Sequence, residues 1–270
     1  MKKLLIAGVA LTALIGTQAL AADMALKAPP PPAPVWSWTG FYLGVNGGYG
    51  WNNSTGNSFC INPAGVTNGL GCDTPNTGVV RPRGGLVGAQ AGYNWQANSI
   101  VFGIETDIQW ADIKGTNSVT DLCCNPAAAP AGTFSMSSKL DWFGTFRGRL
   151  GVLATPNALL YVTGGLIYGH ESTSTLLSFP IVGPTVFYPS STSTNRSGGT
   201  VGAGLEYAFT HNFSGKIEGL WYDMGSLTSS FTCPAGAVTC TPGFTSGATY
   251  KFRGEMVRGG LNWKFNGFSG

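Results

Sequence analysis

The sequence predicts an all-β fold, an eight-stranded antiparallel up-and-down transmembrane β-barrel with long outer loops. Three observations carry this reading: apolar residues alternate with small or polar ones through a series of segments, aromatic residues gather at both ends of those segments, and the connections are short and long in strict alternation. Residues 41–51 show the pattern, with Phe41, Leu43, Val45, Gly47, Tyr49 and Trp51 on one parity and Tyr42, Gly44, Asn46, Gly48 and Gly50 on the other. Successive side chains of a strand point to opposite faces, so one face is apolar and the other small or polar. Such a strand climbs roughly 34 Å at about 3.4 Å per residue, and a tilt of about 40° leaves roughly 26 Å of height, close to the ~25 Å apolar band of an outer-membrane barrel.

The chain opens with a segment that does not belong to the fold. Lys2 and Lys3 precede an apolar run over 4–15 and the small-residue pattern Ala19-Leu20-Ala21, which together make residues 1–22 a secretory signal peptide, cut after Ala21 or Ala22. The run is too short for a membrane-spanning helix, and no later run of about 18 apolar residues exists. Residues 23–39 contain a proline run at 28–34 and are expected to form an extended periplasmic linker.

Composition narrows the function classes. Hydrophobic residues make up 43% of the chain and charged residues 10%, against about 25% charge in a soluble domain. The formal net charge is +3, and without Lys2 and Lys3 there remain 13 basic residues against 12 acidic ones, which gives no reason to expect nucleic acid as a partner. Expected partners are outer-membrane lipid and an extracellular ligand held by the loops.

The eight expected strands are residues 40–51, 84–95, 100–114, 137–154, 159–171, 200–209, 213–224 and 249–265, within a barrel spanning 40–265 and followed by a short extension over 266–270. Tight turns at 96–99, 155–158 and 210–212 alternate with long connections rich in Gly, Ser, Thr, Asn and Pro. Outer-membrane barrels have short periplasmic turns, long outer loops and an even strand count. On this meander Phe41, Trp95, Phe102, Phe209, Phe213, Trp263 and Phe265 fall at the periplasmic rim, and Trp51, Trp110, Trp142, Tyr168 and Trp221 at the outer one. Two girdles of aromatic rings suit the membrane interfaces, whereas the competing soluble sandwich has no reason to sort aromatics to strand ends.

Charges fall on the parity opposite the apolar residues, as the cost of a charge in lipid requires. Ile104 and Ile108 alternate with Glu105 and Asp107; Phe146 and Leu150 with Lys139, Asp141, Arg147 and Arg149; Leu205 with Glu206; and Val257, Leu261 and Trp263 with Arg258 and Lys264. The seventh segment is less regular, because Lys216 and Glu218 share their parity with Leu220. An eight-stranded barrel is just wide enough for its side chains to fill. These eleven charged groups, Glu105, Asp107, Lys139, Asp141, Arg147, Arg149, Glu206, Lys216, Glu218, Arg258 and Lys264, are therefore expected to form a lumen ion-pair network that braces the barrel. A selectivity ring in a channel is the other use of such groups.

Several stretches resemble the outer-membrane immunogenic protein (porin-like) family of Gram-negative bacteria: WTGFYLGVNGGYGW at 38–51, GAQAGYNWQ at 88–96, LDWFGTFRGRLG at 140–151, LLYVTGGLIYG at 159–169, GTVGAGLEYAFTHNF at 199–213 and VRGGLNWKF at 257–265. The resemblance implies an eight-stranded barrel ending on an aromatic residue that the insertion machinery reads. Here Phe265 is followed by five further residues, a departure from that pattern.

Six cysteines lie in expected loops, and an exported chain meets an oxidising compartment. Cys60 with Cys72 and Cys233 with Cys240 are the favoured disulfides among 15 connectivities, with Cys123 and Cys124 adjacent and left open. There is no CxxC spacing with a nearby His, so no metal site is expected, and no cofactor. Only two His occur; His170 beside Glu171, with Ser172 or Ser174, is the sole arrangement resembling a hydrolase site, and an ordinary rim histidine is the simpler reading. The apolar centre at 176–182, with Phe187 and Tyr188, either binds something or packs as strands extended beyond the membrane. The expected function is a non-enzymatic barrel for envelope structure and surface display, with a small-solute channel as the alternative and a surface receptor or adhesin, for instance for haem, as the third reading.

Overall fold

The computed structural model describes residues 36–52, 54–55, 57–61, 79–121, 132–179, 186–232, 234–235, 243 and 245–265. The signal peptide, most of the linker, the terminal extension and Cys72, Cys123, Cys124, Cys233 and Cys240 lie outside the described residues. Eight long strands run antiparallel in chain order: β1 (Gly40–Asn52), β2 (Arg83–Ala97), β3 (Ile100–Asp121), β4 (Gly132–Thr155), β5 (Ala158–Phe179), β6 (Val186–Ala208), β7 (Phe213–Thr232) and β8 (Thr245–Lys264). Each pairs with its chain neighbour, and β8 pairs back onto β1 from Tyr42↔Lys264 to Asn52↔Gly254, which closes the ring. A short strand, Asn57–Ile61, adds to the far end of β8 and sets Cys60 opposite Ser246.

The parity read from the sequence decides which side of the wall each residue faces. Ile104, Phe146 and Leu205 are 46%, 53% and 41% exposed on the outer surface, while their neighbours Glu105, Arg147 and Glu206 are 3%, 0% and 2% exposed inside. Lipid solvates the first set, and the second must find partners inside the barrel. The irregular β7 pattern resolves the same way, with Ser214, Lys216, Glu218, Leu220, Tyr222 and Met224 all buried in the interior.

The strands are longer than the sequence pattern predicts, by one or two residues at the short-turn end and by far more at the long-loop end. β4 has 24 residues, which at about 3.4 Å each and a tilt of about 40° reach roughly 60 Å of height against an apolar band of about 25 Å. In the overhang the polarity of the two faces reverses. Outward positions on β4 and β5 become Lys139, Ser137, Ser135, Ser172 and Ser174, while inward positions become Phe143, Leu140 and Met136. The apolar stretch from Leu176 belongs to this overhang, as strands extended beyond the membrane would have it, with Leu176 opposite Pro189 and Phe179 opposite Val186. The ladder between β6 and β7 ends at Gly199↔Asp223, and beyond it Arg196 bridges the two strands, donating to the Met224 and Ser226 carbonyls at 3.1 and 2.8 Å.

Irregularities at one level shape the outer rim. The β3–β4 register shifts between Trp110/Trp142 and Ile113/Leu140, and the β4–β5 register between Leu140 and Trp142. A bulge re-aims the side chains on either side of it. Trp142 faces outward and Leu140, two residues away, faces inward, so the parity of β4 inverts there. Gly84 on β2 meets this level, where the Asp112 carbonyl oxygen fills the position a Cβ would take. Gly84→Ala is expected to destabilise the barrel by about 1–3 kcal/mol, since backbone rather than a side-chain tip must move, and a lower urea midpoint in a lipid-reconstituted sample checks it.

Candidate functional site

The lumen carries three stacked zones. At the short-turn end Trp38, Val101, Leu159, Tyr161 and Ala208 form an apolar cluster with Trp36 and Leu153 against it. The last residues of the expected linker are thus part of the barrel: the Trp38 amide donates to Gln96 Oε1 at 2.8 Å and its indole to the Pro156 carbonyl at 3.2 Å. At the long-loop end a larger cluster includes Leu86, Ile113, Leu140, Phe143, Leu220, Tyr222, Phe252 and Met256.

Between the clusters lie four carboxylates, Glu105, Asp107, Glu206 and Glu218, and four cations, Arg147, Arg149, Lys216 and Arg258, all buried. Their charges cancel. Register supplies some of the contacts, because Glu105 faces Arg147 and Glu218 faces Arg258 directly across adjacent strands. Others cross the lumen. Arg147 reaches Glu105 at 2.6 Å, Asp107 at 3.1 Å and Glu218 at 3.1 Å. Arg258 bonds Asp107 at 2.7 Å and Glu218 at 2.5 Å, Lys216 bonds Glu105 at 2.8 Å, and Arg149 bonds Glu206 at 2.6 Å. Neutral groups take up remaining lone pairs. Tyr42 donates to Glu105 at 2.7 Å, Thr145 to Asp107 at 2.7 Å, Ser214 and Asn262 to Glu206 at 2.6 and 2.8 Å, and Tyr161 to Glu218 at 3.1 Å. Arg149 also stands 4.1 Å from the Tyr161 ring centre.

Three of the residues expected in this network are elsewhere. Lys139 and Asp141 pair with each other at 2.5 Å on the outer surface, because the β4 bulge turns both away from the lumen. Lys264 faces inward at the short-turn mouth without an acidic partner among the described residues; it donates to the Ser37 carbonyl and lies 4.8 Å from the Trp36 ring centre. The neutral partners Tyr42, Thr145, Tyr161, Ser214 and Asn262 were not singled out from the sequence, although their parity and their place beside charged positions were visible there.

The rim aromatics face outward in two rows. Phe41, Trp95, Phe102, Phe213, Trp263 and Phe265 line the short-turn rim, with Phe41 against Phe265 at 5.7 Å, Trp95 stacked on Phe102 at 5.6 Å and Phe213 edge-on to Trp263 at 4.8 Å. Trp110 and Trp221 are exposed at the other rim, where Trp142 packs on Tyr168 at 6.2 Å and the Trp51 indole donates to Glu255 at 3.1 Å.

His170 and Glu171 point to opposite sides of β5 and do not form one site. On the outer surface both imidazole nitrogens are engaged, Nδ1 with Asn195 at 2.8 Å and Nε2 with Ser193 at 2.7 Å. Neutral Asn195 offers no charge to stabilise an imidazolium. Glu171 is buried in the overhang, beyond the membrane-spanning part of the wall, with Oε2 unpartnered. Burial pushes its carboxyl up to about 8, with the Arg196 charge opposing.

Arg147→Met leaves Glu105, Asp107 and Glu218 short of a cation and is expected to cost about 3–5 kcal/mol in urea unfolding. For Glu171 the folded value exceeds the unfolded value of about 4.3, so its stabilising contribution is complete below that pH and is lost as pH rises to about 8. Glu171→Gln should flatten this decline and stabilise the protein by about 1–3 kcal/mol above pH ~8, as read by thermal melts across pH.

Comparison with known proteins bears on this geometry. The outer membrane protein beta-barrel domain family matches residues 7–265. The 31 kDa outer-membrane immunogenic protein of Brucella melitensis biotype 1 is 34% identical over 271 residues, covering 98% of this chain and all of that one. The 25 kDa outer-membrane immunogenic protein of Brucella canis is 29% identical over 223 residues, 81% of this chain and 82% of that one. The outer membrane protein OprG from Pseudomonas aeruginosa shares the fold, with a TM-score of 0.51 at 13% identity over 87% of this chain and all of that one. These relatives are outer-membrane proteins, and so is this chain. It belongs to the outer membrane β-barrel family that includes the Brucella outer-membrane immunogenic proteins.

Proposed function

We propose that this protein is a closed, non-enzymatic barrel that reinforces the outer membrane and displays its long loops at the cell surface. One observation supports the reading above all others: a neutral, mutually paired layer of four carboxylates and four cations lies between two apolar clusters inside the ring. Water and ions crossing such a lumen would have to separate buried ion pairs, and removing a partner from a buried charge costs several kcal/mol. A ring of one sign, which would select ions, is not what these residues make.

Surface display has separate support. The relatives in Brucella are named immunogenic proteins, which fits loops presented outside the cell. The strands project well past the outer aromatic row, and Ser and Thr on their outward face suit water rather than lipid. Disulfides at Cys60–Cys72 and Cys233–Cys240 would hold the loops at the ends of this projection.

Planar-bilayer recording with purified protein tests the reading. The expected trace stays at baseline for the wild type, and paired removal of charge by Arg147→Met with Glu105→Met leaves it there. Reproducible single-channel steps from the wild-type protein would replace the structural role with that of a small-solute channel.

A further inference from the structure

Three cations share one cross-strand row on the outer surface at the long-loop end. Arg83 on β2 stands opposite Lys114 on β3, and Lys114 stands opposite Lys139 on β4; all three are exposed. Like charges directly across a ladder destabilise it, so such a row is most stable when an anion lies over it. Two carboxylates are close by. Asp112 engages Lys114 at 2.9 Å and Asp141 engages Lys139 at 2.5 Å, but Arg83 has no carboxylate partner among the described residues. Arg81, exposed two residues away, adds another positive charge, so four cations meet two contacting carboxylates, with Glu255 one strand further along the row and engaged by the Trp51 indole.

The height of the row identifies what it meets. Arg83 also stands opposite Trp51 on β1, and Lys114 and Lys139 lie just beyond the facing pair Trp110 and Trp142. Tryptophan at this rim sits at the level of lipid head groups, which sets the cations among the polar groups just above. The bulge at Asp141 completes the row, since without it Lys139 would turn into the lumen. A planar guanidinium flanked by two ammonium groups suits phosphate, which accepts several charge-assisted hydrogen bonds at once.

We propose that Arg83, Lys114 and Lys139 bind the phosphate groups of a phosphorylated glycolipid in the outer leaflet. The site rests on the orientation adopted above, with the long loops outside the cell. Bound lipid would neutralise the row, and the barrel would be held at a fixed height and rotation in the leaflet by a contact outside the lumen.

Native mass spectrometry of the full chain in neutral detergent micelles tests this, using a diphosphorylated lipid A and its dephosphorylated counterpart as probes. The wild type is expected to bind the phosphorylated lipid about tenfold more tightly, the sum of three exposed charge contacts. Arg83→Gln/Lys114→Gln/Lys139→Gln should lose that preference, and Lys251→Gln, an exposed cation on β8, should keep it. Equal binding of both lipids by the wild type would overturn the proposal without reference to any variant. So would a preference surviving in the triple variant, or displacement of the lipid by equimolar inorganic phosphate. If the orientation were at fault instead, the micelle preference would persist while protease added to intact cells failed to cut the long loops.

Discussion

Every strand of this barrel must satisfy two solvents along its length, and the point where one gives way to the other organises the molecule. Within the lipid-facing part, apolar residues such as Ile104, Leu150 and Leu261 point outward and charged ones such as Glu105, Arg149 and Arg258 point inward. Beyond the outer aromatic row water surrounds the wall. Apolar residues then gain by turning inward, and Met136, Met224, Tyr250 and Phe252 fill the projecting part of the ring. On β8 the change falls between Arg258 and Glu255 and on β7 between Glu218 and Tyr222, so one continuous strand serves both solvents. The ring must close for this to work, because an open edge in lipid would leave backbone groups without partners.

The charged layer and the apolar clusters are consequences of the same constraint. Inward positions at mid-height cannot all be apolar without making the segment hydrophobic on both faces, and once charges are placed there they require partners. Cross-strand register brings Glu105 to Arg147 and Glu218 to Arg258, while the small bore of eight strands lets Arg147 and Arg258 reach acids on other strands. Tyr42, Thr145 and Ser214 satisfy the oxygens left over. The bulge at Asp141 then decides which charges remain in this layer and which become part of the membrane surface.

Much of this was legible in the residues themselves. Alternation in β1, β3 and β8 carries over unbroken to the wall, and the aromatic rows and turn lengths gave the strand count and direction. The features that escaped had physical reasons. Alternation assumes an unbroken pleat, so Lys139 and Asp141, on the far side of a bulge, were assigned to the wrong face. Strand ends were drawn where outward apolar residues stop, yet the strands continue in water with Ser and Thr outside, a pattern that reads as loop. Leu220 looked out of place only because the interior turns apolar above the charged layer. Trp38 closes the short-turn mouth from a segment whose prolines suggested a linker, and contacts across the lumen, such as Arg149 with Glu206, join residues that no local spacing relates.

The most direct test of this division of solvents uses a diazirine-tagged phospholipid in a reconstituted bilayer, with photolabelled residues located by mass spectrometry. Carbene insertion is expected at Ile104, Phe146, Leu150, Leu205 and Leu261, and not at Arg147, Glu206, Met136 or Phe252. Label on the charged set, or on the inward residues of the projecting strands, would contradict a wall with lipid on one side and a filled lumen on the other.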